Sequence, residues 1–539
     1  MASCNDQIDR TLKVLAATPN WHILCDLSPD IDIETAAAIL DAAGAISTDI
    51  LQPMDSLSDQ VGCHLENGRV KLPEPFAAAY RAFAEGGWIG LDIPEEQGGS
   101  GLPLTLHAAA APLFDRGCPA FNMAVGASRS GAILINQAAS PELAKEWVEN
   151  LISGEWGATI CMSEPDAGSD VGRIRTRATK IGNIWRISGQ KIWISFGDHD
   201  MVSKIGHCML ARTSDAAGTR GLSLFLVPST TDNGGPNGIE VLRLEEKMGL
   251  HGSPTCALSF ENSEGILLGE KNRGLAQLFT MMELMRLQTG CQGLGIATRA
   301  CDIAEQYAEE RKQGGDPKQP PVSLITHPDV QRQLRNMRAD TELLRVAVIE
   351  LATSLDIANN TNDETLQAKN RAFAAWMLPL IKTFGAETGF NVANAGIQVL
   401  GGAGYTREWP MEQLVRDARV FSIYEGTTGM QAIDFLTRRL LRDRTGFDVF
   451  LERCRSEAGQ NSVANDLFDR LENLAAYLGD NADNRDMLFV ADAWMRAGWL
   501  GVSVWLGLRL SDMDPDSAKQ IFAQVSERFA VFEAEVRTL

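Results

Sequence analysis

Hydrophobic and polar positions change their period twice along the chain. In the first 155 residues apolar positions recur at helical spacing through Ala-rich stretches broken by Pro and Gly. Examples are IETAAAILDAAGAI and PELAKEWVENLISG, the second closed by Gly154 as a helix C-cap would be. From residue 158 β-branched and aromatic residues take over. RIRTRATKIGNIWRISGQKIWIS predicts two strands joined by a two-residue turn at Gly182-Asn183. MVSKIGHCMLART, GLSLFLVPS, GIEVLRLEEK and PTCALSFEN continue the pattern between Gly, Pro, Asn or Asp. Short strands with no helices between them predict an antiparallel barrel or sandwich of roughly 110 residues. Helical period returns after Lys271, where Leu275, Leu278, Met282 and Met285 share a face in a pattern that runs on toward Arg311-Lys312. Leu334, Met337, Thr341, Leu344 and Val348 form a second such stripe. KQGGDPKQPPVSLITHPDV between them predicts a loop. A last helical stretch carries its own apolar faces in LFDRLENLAAYL and FVADAWMRAGWLGVSVWLGL.

These periods predict an α+β multidomain chain: an N-terminal helical domain (1–157), a central antiparallel β-barrel or sandwich (158–270), a C-terminal helical bundle (271–444) and an extra helical segment (445–539). With 539 residues the chain has apolar surface enough to fold without a disulfide or metal staple. Its 49 Lys+Arg against 70 Asp+Glu leave a net charge of −21, spread along the sequence. That balance argues against nucleic acid or an anionic membrane as partner. The ten cysteines stand far apart, with no Cys-x-x-Cys and no zinc-ligand spacing, so they read as small buried thiols in a reducing compartment. The start, MASCNDQIDRTLKVL, has no apolar core of a secretory signal, and the charge-free stretch between Arg496 and Arg509 is too short for a bilayer. A soluble cytoplasmic protein is expected.

Several familiar sites are excluded. There is no P-loop, no Gly-x-Gly-x-x-Gly opening a helix after a strand, no His-Glu-x-x-His and no Gly-x-Ser-x-Gly. Gly98-Gly99-Ser100-Gly101 and Gly401-Gly402-Ala403-Gly404, taken alone, are tight turns before they are phosphate cradles.

Three segments carry more: CMSEPDAGSD (Cys161 to Asp170), QVLGGAGYTREWPMEQLVRDARV (Gln398 to Val420) and IYEGTTGMQ (Ile423 to Gln431). In this order, within a helix–strand–helix layout, they resemble the acyl-CoA dehydrogenase flavoprotein family over residues 70–440. The resemblance implies a C-terminal four-helix bundle, FAD as cofactor, no metal, and an acyl-CoA substrate dehydrogenated between Cα and Cβ. That reaction needs a carboxylate against the weakly acidic α-proton, donors that polarise the thioester carbonyl, and an acceptor for the β-hydride.

By the resemblance Glu425 is the base, and closing an acyl chain over it should raise its pKa. Some relatives place the base on the long helix after the strand domain, at the position of Met285, which cannot accept a proton. Met162 and Ser163 match residues at the isoalloxazine, Trp193 the aromatic that flanks it, and Ser195 a hydroxyl near its reactive edge. A strand tryptophan more commonly belongs to a core. Arg311 matches an arginine reaching the FAD pyrophosphate across a subunit interface. Gln398, Gly401 and Gly402 match the stretch receiving the adenosine end, and Thr427 another FAD contact. On the substrate side fall Ser169, toward pantetheine or phosphate, Glu283 and Arg286, toward coenzyme A, and Tyr424 and Gly426 beside the base. A flavin held partly by a neighbouring chain implies a homodimer or homotetramer, and the electrons are expected to leave through an electron-transfer flavoprotein.

The departures point further. Gln313-Gly314-Gly315 stands where most members have Thr/Ser-Phe-Gly, Gly429 replaces a polar residue and Gln413 a basic one. QGGDP, THPDV, KMGLHGSPT, YTREWPMEQ and YEGTTGMQA resemble a longer subgroup with extra helical segments at both ends, which includes 3-(methylthio)propionyl-CoA dehydrogenases. A short thioether acyl-CoA is therefore the expected substrate, and a short or medium-chain fatty acyl-CoA its rival. His251, in the HGSPT loop, either lines the site or closes a turn. A DNA-associated flavoprotein of alkylation defence would carry a strongly basic C-terminal domain, whereas residues 445–539 mix DNAD, DMDPD and EAE runs with basic side chains. An oxidase passing electrons to oxygen is a third reading.

Overall fold

The computed structural model describes residues 4–523 and 525–539. They form two compact units, each drawn from separated stretches of chain. One comprises Thr48–Pro103 and Gly117–Met285; the other comprises Leu104–Arg116, Arg286–Leu539 and the described residues of Met1–Ser47.

The first unit holds the strands β1 (Trp156–Cys161), β2 (Arg177–Ile181), β3 (Ile184–Ser195), β4 (Lys204–Arg212), β5 (Leu222–Pro228), β6 (Ile239–Leu244) and β7 (Thr255–Leu268). Along one edge β4 runs parallel to β1, from Trp156 opposite Lys204 to Cys161 opposite Met209, and then meets β2 at Arg177 opposite Arg212. Along its other edge it is antiparallel to β5. β5 pairs with β7, β7 with β3 and β3 with β2, which closes the circuit into a barrel, and β6 lies along β7. The turn between β2 and β3 falls at Gly182-Asn183, with Gly182 left-handed at φ 60°.

The barrel is thus mixed rather than purely antiparallel. Strands in succession read as hairpins from sequence, but the irregular connections 162–176 and 196–203 give the chain length to return in the same direction. β4 is buried from Ile205 to Ala211 because both its faces are covered. Cys208 and Leu210 join Leu222, Leu224 and Leu226 against Ile135, Trp147 and Leu151 of the flanking helices. Met209 and Ala211 join Phe225 and Val227 with Ile187, Leu258 and Phe260 on the other side. The alternation is the two-residue period of a strand with no wet face. A short hairpin, His64–Glu66 with Arg69–Lys71, interrupts the helical N-terminal stretch and turns on Asn67 and Gly68, both left-handed.

The second unit is helical. α1 (Gly274–Glu310) belongs to it from Arg286 onward, followed by α2 (Pro328–Asn360), α3 (Glu364–Leu400), α4 (Thr428–Leu436), α5 (Thr445–Ala458), α6 (Ser462–Asp480) and α7 (Ala491–Met513). The expected stripe on α2 (Leu334, Met337, Thr341, Leu344 and Val348) is buried throughout. α1 and α3 cross on glycines. A β-carbon on Gly293 would stand 1.9 Å from the Gly385 carbonyl oxygen, and one on Gly385 2.7 Å from the Gly290 Cα. Only residues without side chains let the two backbones meet there.

The described residues of 445–539 fold against α3 around Trp376. Its ring stacks on Phe450 of α5 at 4.1 Å and meets Phe435 of α4 at 5.1 Å, and Phe435 in turn stacks on Trp494 of α7 at 5.8 Å. Beside this cluster the buried carboxylate of Glu350 on α2 accepts from Arg453 of α5 at 2.9 Å and Arg509 of α7 at 2.6 Å. Among the described residues the cysteines form no disulfide, no helix is long and apolar enough to cross a membrane, and no group of His, Cys, Asp or Glu is placed to hold a metal.

Candidate active site

In the helical unit, Tyr424-Glu425-Gly426 connects a short helical turn, Arg419–Ser422, to α4. Glu425 has φ 54° and Gly426 φ 90°, so two successive residues are left-handed. Glycine adopts this freely, but a residue with a β-carbon does so at a cost of about 1–2 kcal/mol. Two side chains hold the pair in place. Lys382 Nζ on α3 donates to the Gly426 carbonyl at 2.6 Å, and Gln431 Nε2 on α4 donates to the Glu425 carbonyl at 2.9 Å.

The Tyr424 hydroxyl donates to Gln292 Oε1 of α1, so its polar end is engaged inside the helical unit. Glu425 as a residue is half-buried, yet its Oε2 is closed off from solvent and has no hydrogen-bond partner among the described residues. Burial raises the carboxyl above its ordinary value of 4.5, and the charges of Arg286 and Lys382 pull it part of the way back. Lys382 is fully buried, which draws its ammonium down to about 8 against the attraction of Glu425. A dry carboxylate oxygen without a partner, in the field of two cations, has the properties of a proton acceptor.

The barrel unit gathers the residues expected at the flavin. β3 bulges between Lys191 and Ile194, and there Trp193 takes a left-handed φ of 63° with 57% of its surface exposed. It is therefore not the core residue that a strand tryptophan suggests. Strained backbone of this kind concentrates at functional sites. Ser195 ends β3 opposite Thr255. Met162 and Ser163 lie half-buried just after β1, and the Ser163 carbonyl accepts from the Ile192 N–H at 2.9 Å.

Lys191 ties this segment down. Fully buried, its Nζ donates to the Met162 carbonyl at 3.0 Å, the Leu210 carbonyl at 2.9 Å and Glu164 Oε1 at 2.8 Å. Glu164 also accepts from the backbone N–H groups of Arg175 and Thr176. Burial works against its charge, but Lys191 and these donors hold the carboxyl below its usual range.

The remaining expected residues are placed as follows. Ser169 is exposed in the turn before Asp170, Glu283 is exposed on α1, and Arg286 is half-buried with its charge acting on Glu425 and Lys382. Arg311 is exposed just beyond α1, and Gln398, Gly401 and Gly402 are exposed where α3 ends. Gly401 is left-handed, and no atom lies within 4 Å of a β-carbon built on it or on Gly402, so the backbone there is open to a ligand group. Thr427 is the N-cap of α4, its hydroxyl accepting from the Met430 N–H at 3.4 Å. His251 is held by Asp59 and by the Lys247 carbonyl, as a turn histidine is. Lys382, Gln431, Lys191 and Glu164 were not apparent from sequence reasoning. The available signal was a charged or amide residue within an otherwise apolar run, as Lys382 is in MLPLIKTFGA.

Comparison with known proteins supplies the family. Three models match in succession: the acyl-CoA dehydrogenase N-terminal domain over residues 63–155, the middle domain over 159–263 and the C-terminal domain over 272–441. The chain is 39% identical over 424 residues to 3-methylmercaptopropionyl-CoA dehydrogenase of Ruegeria pomeroyi, covering 77% of this chain and 72% of that protein. It is 36% identical to the broad-specificity linear acyl-CoA dehydrogenase FadE5 of Mycobacterium tuberculosis over 70% of this chain and 64% of the relative. Among solved structures, Caenorhabditis elegans ACDH-11 in complex with C11-CoA superposes with a TM-score of 0.81 at 21% identity, over 94% of this chain and 89% of that one. An acyl-CoA dehydrogenase complexed with FAD from Bacillus anthracis gives 0.79 at 20% identity, with the same coverage. The succession of three domains and the extent of identity make the chain a member of the acyl-CoA dehydrogenase family, FAD-dependent oxidoreductases.

Proposed function

We propose that this acyl-CoA dehydrogenase acts on a short acyl-CoA, with 3-(methylthio)propionyl-CoA preferred, and that Glu425 removes the α-proton. The observation that carries the base assignment is the Glu425 carboxylate: its Oε2 is dry and has no partner among the described residues, and its pKa is raised. A carboxylate unsatisfied by the protein has its lone pair free for a substrate proton, and its raised pKa makes it a stronger acceptor at neutral pH. Bound FAD supplies the acceptor for the β-hydride. Trp193 and the Met162–Ser163 segment would hold its ring, and Gly401, Gly402, Gln398, Thr427 and Arg311 its adenosine and pyrophosphate end.

Because Gln398, Gly401, Gly402 and Arg311 are exposed, the reading includes a neighbouring copy of the chain, as a homodimer or homotetramer, with FAD spanning the two. Electron-transfer flavoprotein is the proposed electron acceptor, and a cytoplasmic setting goes with it. The thioether preference is supported by the 39% identity to the Ruegeria pomeroyi enzyme; the 36% identity to FadE5 supports the rival, a linear fatty acyl-CoA.

Replacing Glu425 by Gln tests the mechanism. The variant should retain its yellow flavin and lose turnover by at least about a thousandfold, and an active variant would remove Glu425 as base. Rates over acyl-CoAs of graded length, with and without sulfur at the γ position, decide the substrate. Faster turnover of butyryl- or hexanoyl-CoA than of the thioether would select the rival.

A further inference from the structure

We propose that Lys382 and Gln431 are positioning residues for the base. From α3 and α4 they grip the carbonyls of two successive left-handed residues, Gly426 and Glu425, and so fix the direction of the Glu425 carboxylate, while the Lys382 ammonium adds the positive charge that keeps it ionised. The inference rests on the assignment of Glu425 as base.

A lysine buried at 0% exposure is costly, and a single carbonyl is a poor reason for it, since a neutral hydroxyl or a water would satisfy the same oxygen. The charges facing Lys382 are Glu425, Arg286 of α1 and Glu387 farther along α3. Glu387 is already paired with Arg496 of α7 at 3.1 Å, which leaves Glu425 as the carboxylate that Lys382 serves. The charges facing Glu425 are Arg286 and Lys382, and removing Lys382 leaves Arg286 alone to offset burial.

Gln431 adds an independent geometric link. It is 1% exposed, and its Nε2 stands 2.8 Å from where a β-carbon on Gly426 would lie. A side chain at 426 would displace the amide that holds residue 425. The glycine, the amide and the ammonium therefore form one device, built on a backbone shape that glutamate does not adopt unaided.

Three variants separate charge from grip. Lys382→Met removes both, Gln431→Met removes a donor without changing charge, and Lys382→Arg keeps the charge. Each is purified with its flavin and assayed as the holoenzyme against pH. Both methionine variants are expected to lose at least about tenfold in kcat, with KM for acyl-CoA within about threefold of wild type. Lys382→Met alone should also move the acid limb of the kcat profile upward, by about one unit, and Lys382→Arg should return it.

Wild-type kcat and limb in Lys382→Met overturn the charge role, and wild-type kcat in Gln431→Met overturns the grip. If Lys382→Met fails to hold flavin, Gln431→Met and Lys382→Arg decide. Reduced kcat in the first with an unmoved limb in the second supports the device, and wild-type kcat in the first removes it. An active Glu425→Gln would sink the base assignment itself, whereas an inactive Glu425→Gln beside a normal Lys382→Met sinks only the present inference.

Discussion

Single residues mark the site by standing where folding alone would not put them. Trp193 is left-handed, large and more than half exposed. Trp193→Gly removes a backbone cost of about 1–2 kcal/mol along with the ring. The melting temperature of the flavin-free protein should therefore not fall, while flavin should dissociate more readily on dilution. A lower melting temperature with unchanged flavin retention would make Trp193 a barrel residue instead. For Glu425 the sign of the pH effect follows from burial: the anion is disfavoured, so its pKa lies above 4.5 and kcat should fall as pH drops through that raised value. A limb at or below 4.5 would mean that Arg286 and Lys382 outweigh burial at this carboxylate. Glu425 stands out in the sequence because its Gly-flanked motif resembles the family's. Its left-handed backbone could not, because that conformation is written in the partners, Lys382 and Gln431, which lie 43 residues before it and 6 after it. Trp193 was ambiguous for a related reason, since a bulge hidden within an apolar strand reverses which face a side chain takes.

Elements carry these residues, and two of them give predictions of their own. The segment after β1 is pinned by Lys191, whose ammonium bridges Met162, Leu210 and Glu164. Lys191→Met leaves Glu164 charged, buried and without its ion pair, at a cost of about 3–5 kcal/mol. The protein should emerge colourless, and a normal flavin-to-protein ratio would release Lys191 from any part in the flavin site. The α1–α3 crossing makes a second case. Gly293→Ala drives a β-carbon into the Gly385 backbone, so the helices must separate, at a cost of about 1–3 kcal/mol. Because α1 brings Arg286 and Gln292 and α3 brings Lys382, kcat should drop together with the melting temperature. A destabilised but fully active variant would uncouple the crossing from the base.

Helices and strands were legible because their periods are local. β4 alternates between two apolar clusters and so reads as one long buried run. Parallel pairing to β1 was not legible, since direction depends on how far an irregular connection travels. The Asn67-Gly68 hairpin was written plainly in ENGRV but sat inside a stretch whose surroundings are helical. The association of Leu104–Arg116 with the C-terminal helices depends on distant packing that no local pattern records.

At the level of the whole molecule, the final segment is not an appendage. The Trp376 cluster and the Glu350 carboxylate tie α5 and α7 to α2 and α3. Burial pushes the Glu350 carboxyl up, but Arg509 and Arg453 more than offset this and hold it below 4.5. A carboxyl depressed by folding gives stability that is fully present above its unfolded value and is lost as pH falls through its folded one. Wild type should therefore weaken in acid below that value. Glu350→Gln, already short by about 3–5 kcal/mol at neutral pH, should lose less across the same window. Denaturant titrations near neutrality and in acid measure the difference, and equal losses in both proteins would dismiss the pair of arginines as a source of acid sensitivity.

The left-handed pair at 425 and 426 has a consequence for descent. A second glycine at 425 would suit that turn better than the glutamate does, so the change that would remove the proposed base also relaxes the backbone. A lineage freed from the need to turn over its thioester would thus slide easily toward a sturdier molecule that still grips its ligands and leaves them unaltered.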